Sequence, residues 1–126
     1  MALHTNLPQR PRDGGLTRYR LTIEPWLSLL RHRRDSALYQ DMSVIDILNA
    51  VLTDGAGEGD YIPTWRFDLA DPSIYPKRSL TTQYNETDLE FINRLMSEEG
   101  LYYWFIHQGD SSSPHLGSHT TINLVF

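Results

Sequence analysis

Two histidines four residues apart, His115 and His119, are the first residues in this sequence that could do chemistry. Their separation would place two zinc ligands on one face of a helix. However, Pro114 and Gly117 favour a loop, no Glu lies between the histidines, and no third ligand is evident nearby. A zinc site needs at least three protein ligands, so we interpret the pair as solvated loop residues.

Acidic residues in a glycine-rich segment form a second candidate, a calcium loop. Asp54, Glu58 and Asp60 alternate with glycines, but the spacing departs from the Asp-x-Asp-x-Asp-Gly pattern and the distal bidentate Glu is missing. The glycines also lack the Gly-Lys-Ser/Thr ending of a phosphate-binding loop. The segment is therefore predicted to be a mobile loop without an ion.

Two charged clusters could serve nucleic-acid binding or acid–base catalysis. The basic run 31–34 is short and the formal net charge is −5, so we interpret it as a solvated face or as a partner for Asp35 and Asp41. Glu98 and Glu99 are adjacent, and neighbours on a helix diverge by about 100°. Glycosidase carboxylates must instead face each other across a cleft, so a solvated turn is predicted.

The consecutive aromatic residues from Tyr102 to Phe105 could stack on a sugar or a base. One continuous aromatic strand belongs more often to a core or a subunit interface. The sequence contains no Gly-x-Ser-x-Gly motif and no cysteine, which excludes thiol catalysis, disulfides and cysteine-ligated zinc. No set of residues meets the geometric roles of an active site. We therefore predict no enzyme, no cofactor, and no catalytic, cofactor-binding or metal residues.

About five strands and two amphipathic helices would position these residues, which predicts an α+β fold. Trp26 to Leu30 fits either a strand or a helical turn. Leu101 to Ile106 is almost wholly apolar, and we expect that strand to be buried on both faces. Alternation of apolar and polar residues predicts the strands at 18–23, 65–69 and 122–126. The segment 80–84, rich in Thr and Tyr, is predicted as a short strand, in addition to 101–106.

Capping patterns set the helix bounds. Ser43 is the predicted N-cap of the first helix, with Asp46 in the place of the usual Glu or Gln, and Gly55 is the predicted stop. The segment 87–90, Thr-Asp-Leu-Glu, is a capping box that opens the second helix, and Gly100 ends it.

The length of 126 residues corresponds to one small domain. We assign residues 1–14 to a disordered segment or linker and residues 15–126 to a single α+β domain. The N-terminus has no apolar core of signal-peptide length, and no stretch approaches the roughly 20 apolar residues of a membrane span. The sequence predicts neither feature.

Two ordered blocks, residues 13–52 and 79–105, resemble the VgrG family, the valine–glycine repeat spike proteins of bacterial type VI secretion. The matching pieces of the first block are Arg18-Tyr19, Pro25-Trp26, Arg33-Arg34-Asp35-Ser36, Gln40-Asp41 and Ser43-Val44. Those of the second are Gln83-Tyr84, Asp88-Leu89, Phe91, Arg94-Leu95, Glu98-Glu99-Gly100 and Tyr102-Tyr103.

This resemblance implies part of a non-enzymatic hub, similar to the hub of contractile phage tails, that forms a trimer and caps an inner tube. It implies as partners the inner-tube ring protein, the spike-tip protein and effectors, without nucleic acid. It also implies assembly in the bacterial cytoplasm followed by export through the type VI route. Two alternatives are an adaptor for an effector and a truncated remnant.

The sequence departs from the family pattern in its extent. A full family member has a first β-barrel portion upstream of the Asp13 region, and a second barrel, an oligonucleotide-binding-like domain and the spike downstream. None of these fits in this chain, and Val-Gly repeats are missing. The β-rich domain is therefore expected to be a fragment of a phage tail hub-like domain from a larger protein.

Overall fold

The computed structural model of the protein describes residues 2–6, 19–55, 64–108 and 119–125. Within these ranges seven strands and two α-helices occur, which confirms the predicted α+β class. Two 3₁₀ helices, Trp26–His32 and Pro72–Ile74, connect them. The elements in chain order are β1 (Ala2–Asn6), β2 (Arg20–Glu24), β3 (Arg34–Met42), α1 (Val44–Gly55), β4 (Thr64–Asp68), β5 (Arg78–Thr87), α2 (Asp88–Glu99), β6 (Tyr102–Gln108) and β7 (His119–Val125).

Helix α2 begins and ends where its caps predict. The Thr87 hydroxyl accepts a hydrogen bond from the Glu90 backbone N–H at 3.2 Å, and the Thr87 N–H donates to the Glu90 carboxylate at 2.8 Å. This capping box satisfies two backbone groups that would otherwise lack partners. At the other end Gly100 has φ of 71°, a left-handed conformation that favours glycine, and its N–H donates to the last turn.

Helix α1 has the predicted reciprocal cap with a shorter acid. The Ser43 N–H donates to the Asp46 carboxylate at 3.0 Å, and the Asp46 N–H donates to the Ser43 hydroxyl at 3.2 Å. Gly55 is the last residue of this helix rather than the first residue beyond it. A Cβ at Gly55 would collide with the Leu30 side chain, so glycine is needed here for close packing.

The core forms where the apolar faces of both α-helices meet the 3₁₀ helix Trp26–His32. This 3₁₀ helix resolves the choice left open for Trp26 to Leu30. This short element is held in place because three of its apolar side chains, Trp26, Leu27 and Leu30, are buried. The fully buried or nearly buried core side chains are Trp26, Leu27, Leu30, Val44, Ile47, Leu48, Val51, Leu52, Phe91, Ile92, Leu95 and Met96, with Tyr75 and Leu101 at the border.

The seven strands form three small sheets. Strands β1 and β2 pair antiparallel, β3 and β5 form an antiparallel ribbon, and the order β4-β7-β6 has a parallel pair, β4 with β7, and an antiparallel pair, β7 with β6. One face of the β3–β5 ribbon lies against α2, where the rings of Tyr39 and Phe91 stack with centroids 5.6 Å apart.

Two strands lie where none was predicted. β1 falls within residues 1–14, which we expected to be disordered or a linker, and it pairs with β2 in a register that joins Leu3 to Ile23. β3 includes residues that we had treated only as a charged cluster and its surroundings. Both strands depend on pairing with a distant segment, which local composition does not encode.

Two expectations about burial are wrong. Tyr102 is 57% exposed and Trp104 is 39% exposed, so β6 is buried on one face rather than two. In β2 the predicted half-buried face is open, because Leu21 and Ile23 are both more than half exposed. Alternation identifies an apolar face, but it does not supply the layer that covers it.

The capping box of α2 gives the first testable prediction. Replacing Thr87 by alanine leaves a helix N–H without its acceptor, and we expect a loss of about 1 kcal/mol in the free energy of unfolding. Urea denaturation followed by circular dichroism measures this loss. The control variant Ser97→Ala removes an exposed hydroxyl of the same helix that bonds only back to the Asn93 carbonyl, and it should change stability little. Equal stabilities of the two variants would contradict the capping role.

Candidate assembly surface

Arg33 is the centre of a polar cluster behind the β3–β5 ribbon. Its guanidinium Nε lies 3.4 Å from the Asp88 carboxylate, and its Nη2 lies 3.5 Å from the Asp35 carboxylate and forms an ion pair with Asp54. The cluster joins β3, the end of α1 and the start of α2. It uses two residues, Arg33 and Asp54, that the sequence had offered as candidates for binding.

Asp88 is the most buried member of this cluster, with a side chain that is 4% exposed. Its carboxylate accepts a hydrogen bond from the Gln83 side chain at 2.8 Å, and its backbone N–H donates to the Arg33 carbonyl at 2.9 Å. Burial raises the pKa of Asp88 above its ordinary value, while the Gln83 hydrogen bond and the Arg33 charge oppose that rise. The group is a structural carboxylate in the interior.

The other basic residues of the run 31–34 also contact this chain. Arg31 forms an ion pair with Glu24 at 2.6 Å, and the Arg34 side chain donates to the Asn85 carbonyl. Side chains tied to neighbouring groups are poorly placed to bind phosphates. The prediction that the run partners nearby acids holds for Asp35, whereas Asp41 forms no ion pair with any described residue of the run.

Glu98 and Glu99 also have structural partners, which differs from the solvated turn that we expected. Arg78 contacts both carboxylates, that of Glu98 at 2.7 Å, and Arg94 lies 3.3 Å from Glu98. The Arg78 hydrogen bond holds the pKa of Glu98 below its ordinary value. Paired acids neutralised by arginine at the surface are suited to holding β5 against α2.

Three of the remaining metal candidates, His115, Glu58 and Asp60, lie outside the described residues. His119 belongs to β7. Within the described ranges no group of three or more His, Cys, Asp or Glu side chains is arranged to hold a metal ion. Among the same residues, no helix is both long and apolar enough to cross a membrane.

The outer face of the β3–β5 ribbon, which we call the ribbon face, is the first of two exposed apolar surfaces. It carries no charged side chain, and three of its six residues are large and apolar. Charged residues are depleted at the centres of protein interfaces, and tyrosine is enriched there. The ribbon face consists of Ser36, Leu38 (67% exposed), Gln40, Leu80 (54%), Thr82 and Tyr84 (79%).

The aromatic strand supplies the second surface. The rings of Tyr102 and Trp104 lie on the exposed side with centroids 5.9 Å apart, while Tyr103 and Phe105 pack edge to face on the other side, against the core. The sequence identified these four residues, but the ribbon face was missed because β3 was not predicted. Leu38 and Leu80 could have indicated it only once their strands were known to pair.

Comparison with known proteins decides the family. Residues 3–123 match the model of the phage tail baseplate hub (GPD). This chain belongs to the phage tail baseplate hub family. The expected resemblance to VgrG proteins is confirmed, because this hub-family chain is 39% identical over 112 residues to the type VI secretion system spike protein VgrG5 of Pseudomonas aeruginosa.

Two further relatives give the same result for this hub-family chain. The actin cross-linking toxin VgrG1 of Vibrio cholerae is 37% identical over 73% of the chain. The solved Escherichia coli c3393 protein, a type VI secretion component with structural similarity to the T4 bacteriophage tail proteins gp27 and gp5, superimposes with a TM-score of 0.67 at 29% identity.

The coverage of these relatives is unequal. The match to VgrG5 takes in 89% of this chain but only 13% of that protein, and the match to VgrG1 takes in 8% of the toxin. The solved structure is covered to 27%, while 86% of this chain is used. The hub-family chain therefore corresponds to a small part of each relative.

The buried carboxylate predicts an unusual pH dependence. Because the folded-state pKa of Asp88 is raised, the folded protein binds this proton more readily than the unfolded chain, so Asp88 lowers stability as the pH rises. Asp88→Asn should therefore gain stability relative to the wild type as the pH increases from about 4 upward, since the ordinary pKa is about 3.9. Urea unfolding at several pH values measures the difference, and a difference independent of pH would contradict it.

Removing the cation should have the opposite effect at neutral pH. Arg33→Ala leaves the buried Asp88 carboxylate without its counter-charge, and we expect a loss of about 3 kcal/mol in unfolding free energy. The double variant Arg33→Ala with Asp88→Asn should recover much of that loss, because no unpaired charge stays buried. If the two single losses simply add, the groups are not coupled.

Proposed function

We propose that this chain is a structural part of the hub in a type VI secretion or contractile tail-like injection machine. The observation that carries this function is the family match across residues 3–123, together with relatives that are type VI spike proteins. Within the described residues the acids and bases that suggested chemistry are largely engaged in ion pairs and caps. That use of charge is what a mechanical assembly part requires, and it favours a non-enzymatic role.

The partners follow from the same proposal. A hub subunit would associate as a trimer in the full-length protein, contact the inner-tube ring protein and the spike-tip protein, and carry effectors. It would assemble in the bacterial cytoplasm and leave by the type VI route. The uncharged ribbon face supports subunit contact, because an assembly of chains with a net charge of −5 gains from neutral contact surfaces.

A second function, an adaptor for an effector, is favoured by one specific observation. Tyr102 and Trp104 form an exposed aromatic pair on β6, and aromatic anchors dominate the binding energy of many interfaces. An effector domain could use this pair while the ribbon face contacts the hub. The two functions predict different sensitive residues, which makes them separable by mutation.

Co-assembly tests the hub function directly. We would express the full chain with the tube and hub proteins of the same bacterium and measure its incorporation by affinity capture, gel filtration and light scattering. The wild type should join the hub particle. Leu38→Glu places a charge on the ribbon face and should reduce incorporation at least tenfold, an expected effect of about 1.4 kcal/mol or more.

A matched control separates charge from position. Ser97→Glu adds the same charge to an exposed site on α2 and should leave incorporation unchanged. If Tyr102→Ala and Trp104→Ala abolish capture of an effector but not of hub proteins, the adaptor function is supported. A folded chain that binds neither tube nor hub proteins would contradict the hub function.

A further inference from the structure

One peptide bond in the connection between β4 and β5 has an unusual chemistry. The sequence holds seven prolines, and Asp71–Pro72 is the only place where a proline follows an aspartate. The bond before a proline is a tertiary amide, and its nitrogen accepts a proton more readily than the nitrogen of an ordinary peptide bond. The aspartate adds a carboxyl group that can reach its own carbonyl carbon in a five-membered ring. Acid therefore breaks such a bond before other peptide bonds.

Water and acid have free access to this bond. It lies in a run of four exposed residues, 71–74. Leu69 packs against the core on one side of the run, and Tyr75 is buried on the other side. The exposed run is thus anchored at both ends, and a cut within it would not uncover the core.

Ser73 holds the reactive carboxyl group. Asp71 is the N-cap of the 3₁₀ helix Pro72–Ile74, and its Oδ1 accepts hydrogen bonds from the Ser73 hydroxyl at 2.6 Å and from the Ser73 N–H at 2.9 Å. The hydroxyl first, and then the N–H, hold the pKa of Asp71 below its ordinary value. No charged side chain of the described residues contributes to this shift. The carboxylate is therefore ionised and engaged by Ser73 at neutral pH.

Acid would release this carboxyl group and allow the reaction. Once protonated, the group is a weaker acceptor for the Ser73 donors. Its oxygen can then attack the Asp71 carbonyl carbon, while its proton passes to the Pro72 nitrogen and the bond between that carbon and that nitrogen breaks. The product is a cyclic anhydride, which one water molecule opens to two carboxyl groups. The net reaction is hydrolysis of one peptide bond, and it needs no oxidant or reductant.

A backbone donor already contacts the carbonyl that would be attacked. The Asp71 carbonyl oxygen accepts a hydrogen bond from the Ile74 N–H at 3.4 Å. Negative charge develops on this oxygen during the attack, and a donor aimed at it lowers the energy of that step. The short 3₁₀ helix therefore restrains the nucleophile through Ser73 and assists the electrophile through Ile74.

The fold would keep the two products together. The part of the chain before the bond contains β3, α1 and β4, and the part after it contains β5, α2 and β7. β3 pairs with β5, β4 pairs with β7, and side chains of α1 and α2 share one core. These contacts join the two parts independently of the bond, so scission would leave a nicked domain.

We propose that Asp71–Pro72 is an acid-dependent self-cleavage site that Ser73 keeps closed at neutral pH, and that its scission yields a nicked domain that stays assembled. The nucleophile is the Asp71 side chain and the leaving group is the Pro72 nitrogen. Ser73 is a positioning residue. This activity is separate from the proposed hub function and does not rest on it.

The test follows the purified full chain by intact mass spectrometry, with pepstatin added against acid proteases. Samples are kept at several values from about pH 3 to about pH 7, a range that includes the ordinary Asp pKa of about 3.9. Only the acid samples should yield the fragments 1–71 and 72–126, whose masses sum to that of the intact chain plus one water. After return to neutral pH, the fragments should elute together in gel filtration at the position of the uncut chain.

Three variants test the three groups. Asp71→Asn keeps a capping oxygen but has no acid, and it should cleave about tenfold or more slowly. Pro72→Ala keeps the acid but makes an ordinary secondary amide, and it should lose a similar factor. Ser73→Ala frees the carboxyl group, so the folded chain should cleave about threefold faster and begin to cleave at a higher pH. In urea, Ser73→Ala and the wild type should cleave at the same rate, because neither holds the carboxylate there.

Circular dichroism in each buffer identifies the samples that are folded. The proposal is overturned by a first cut at another bond, by undiminished cleavage of Asp71→Asn, or by no cleavage of the folded chain. A folded Ser73→Ala chain that cleaves no faster than the wild type, or fragments that separate at neutral pH, would also overturn it. Fragmentation that pepstatin prevents would assign the cut to a contaminating protease. Co-assembly with hub proteins is measured on the uncut chain at neutral pH, so a failure here is distinguishable from a failure of the hub function.

Discussion

The structure depends on holding one buried carboxylate, that of Asp88, at the point where three elements meet. This residue begins α2, directly after β5, and its partners are Arg33, the residue before β3, and Gln83 of β5. A buried charge without partners would cost several kcal/mol. The chain can satisfy it only when β3 pairs with β5 and α2 begins at Thr87. The polar cluster therefore couples a capping motif to a long-range strand pairing.

This coupling explains which parts of the fold were predictable from sequence. Both α-helices and their ends could be predicted because Ser43, Thr87 and Gly100 act within one or two turns of their own helix. β3 could not be predicted in this way. Its buried side contains Asp35, Ala37 and Tyr39 and its exposed side contains Leu38, so apolar and polar residues do not alternate along the strand. Its strand character comes from β5, about 45 residues later in the register.

The two candidate surfaces also differ in how much of them the sequence predicts. The aromatic residues of β6 were evident, but their exposure was not, since a continuous apolar run is typical of a strand covered on both faces. Whether Tyr102 and Trp104 are covered depends on chain that lies on the other side of them. Local sequence does not encode such coverage, and this chain matches only 13% of a relative such as VgrG5. The exposed residues of β2 fit the same explanation.

The β5 strand of the ribbon is tied to α2 by one arginine that makes several contacts. Arg94 performs two tasks, because it neutralises Glu86 and covers the Thr82 carbonyl, and its guanidinium also lies 5.2 Å from the Phe91 ring centre. One arginine anchored in this manner holds β5 against α2 as part of the fold itself. The β3 edge has an acid at either end and neutral residues between them. In a chain with 21% charged residues, the uncharged ribbon face stands out from the rest of the described surface, and it is the face that the proposed hub function would use for subunit contact.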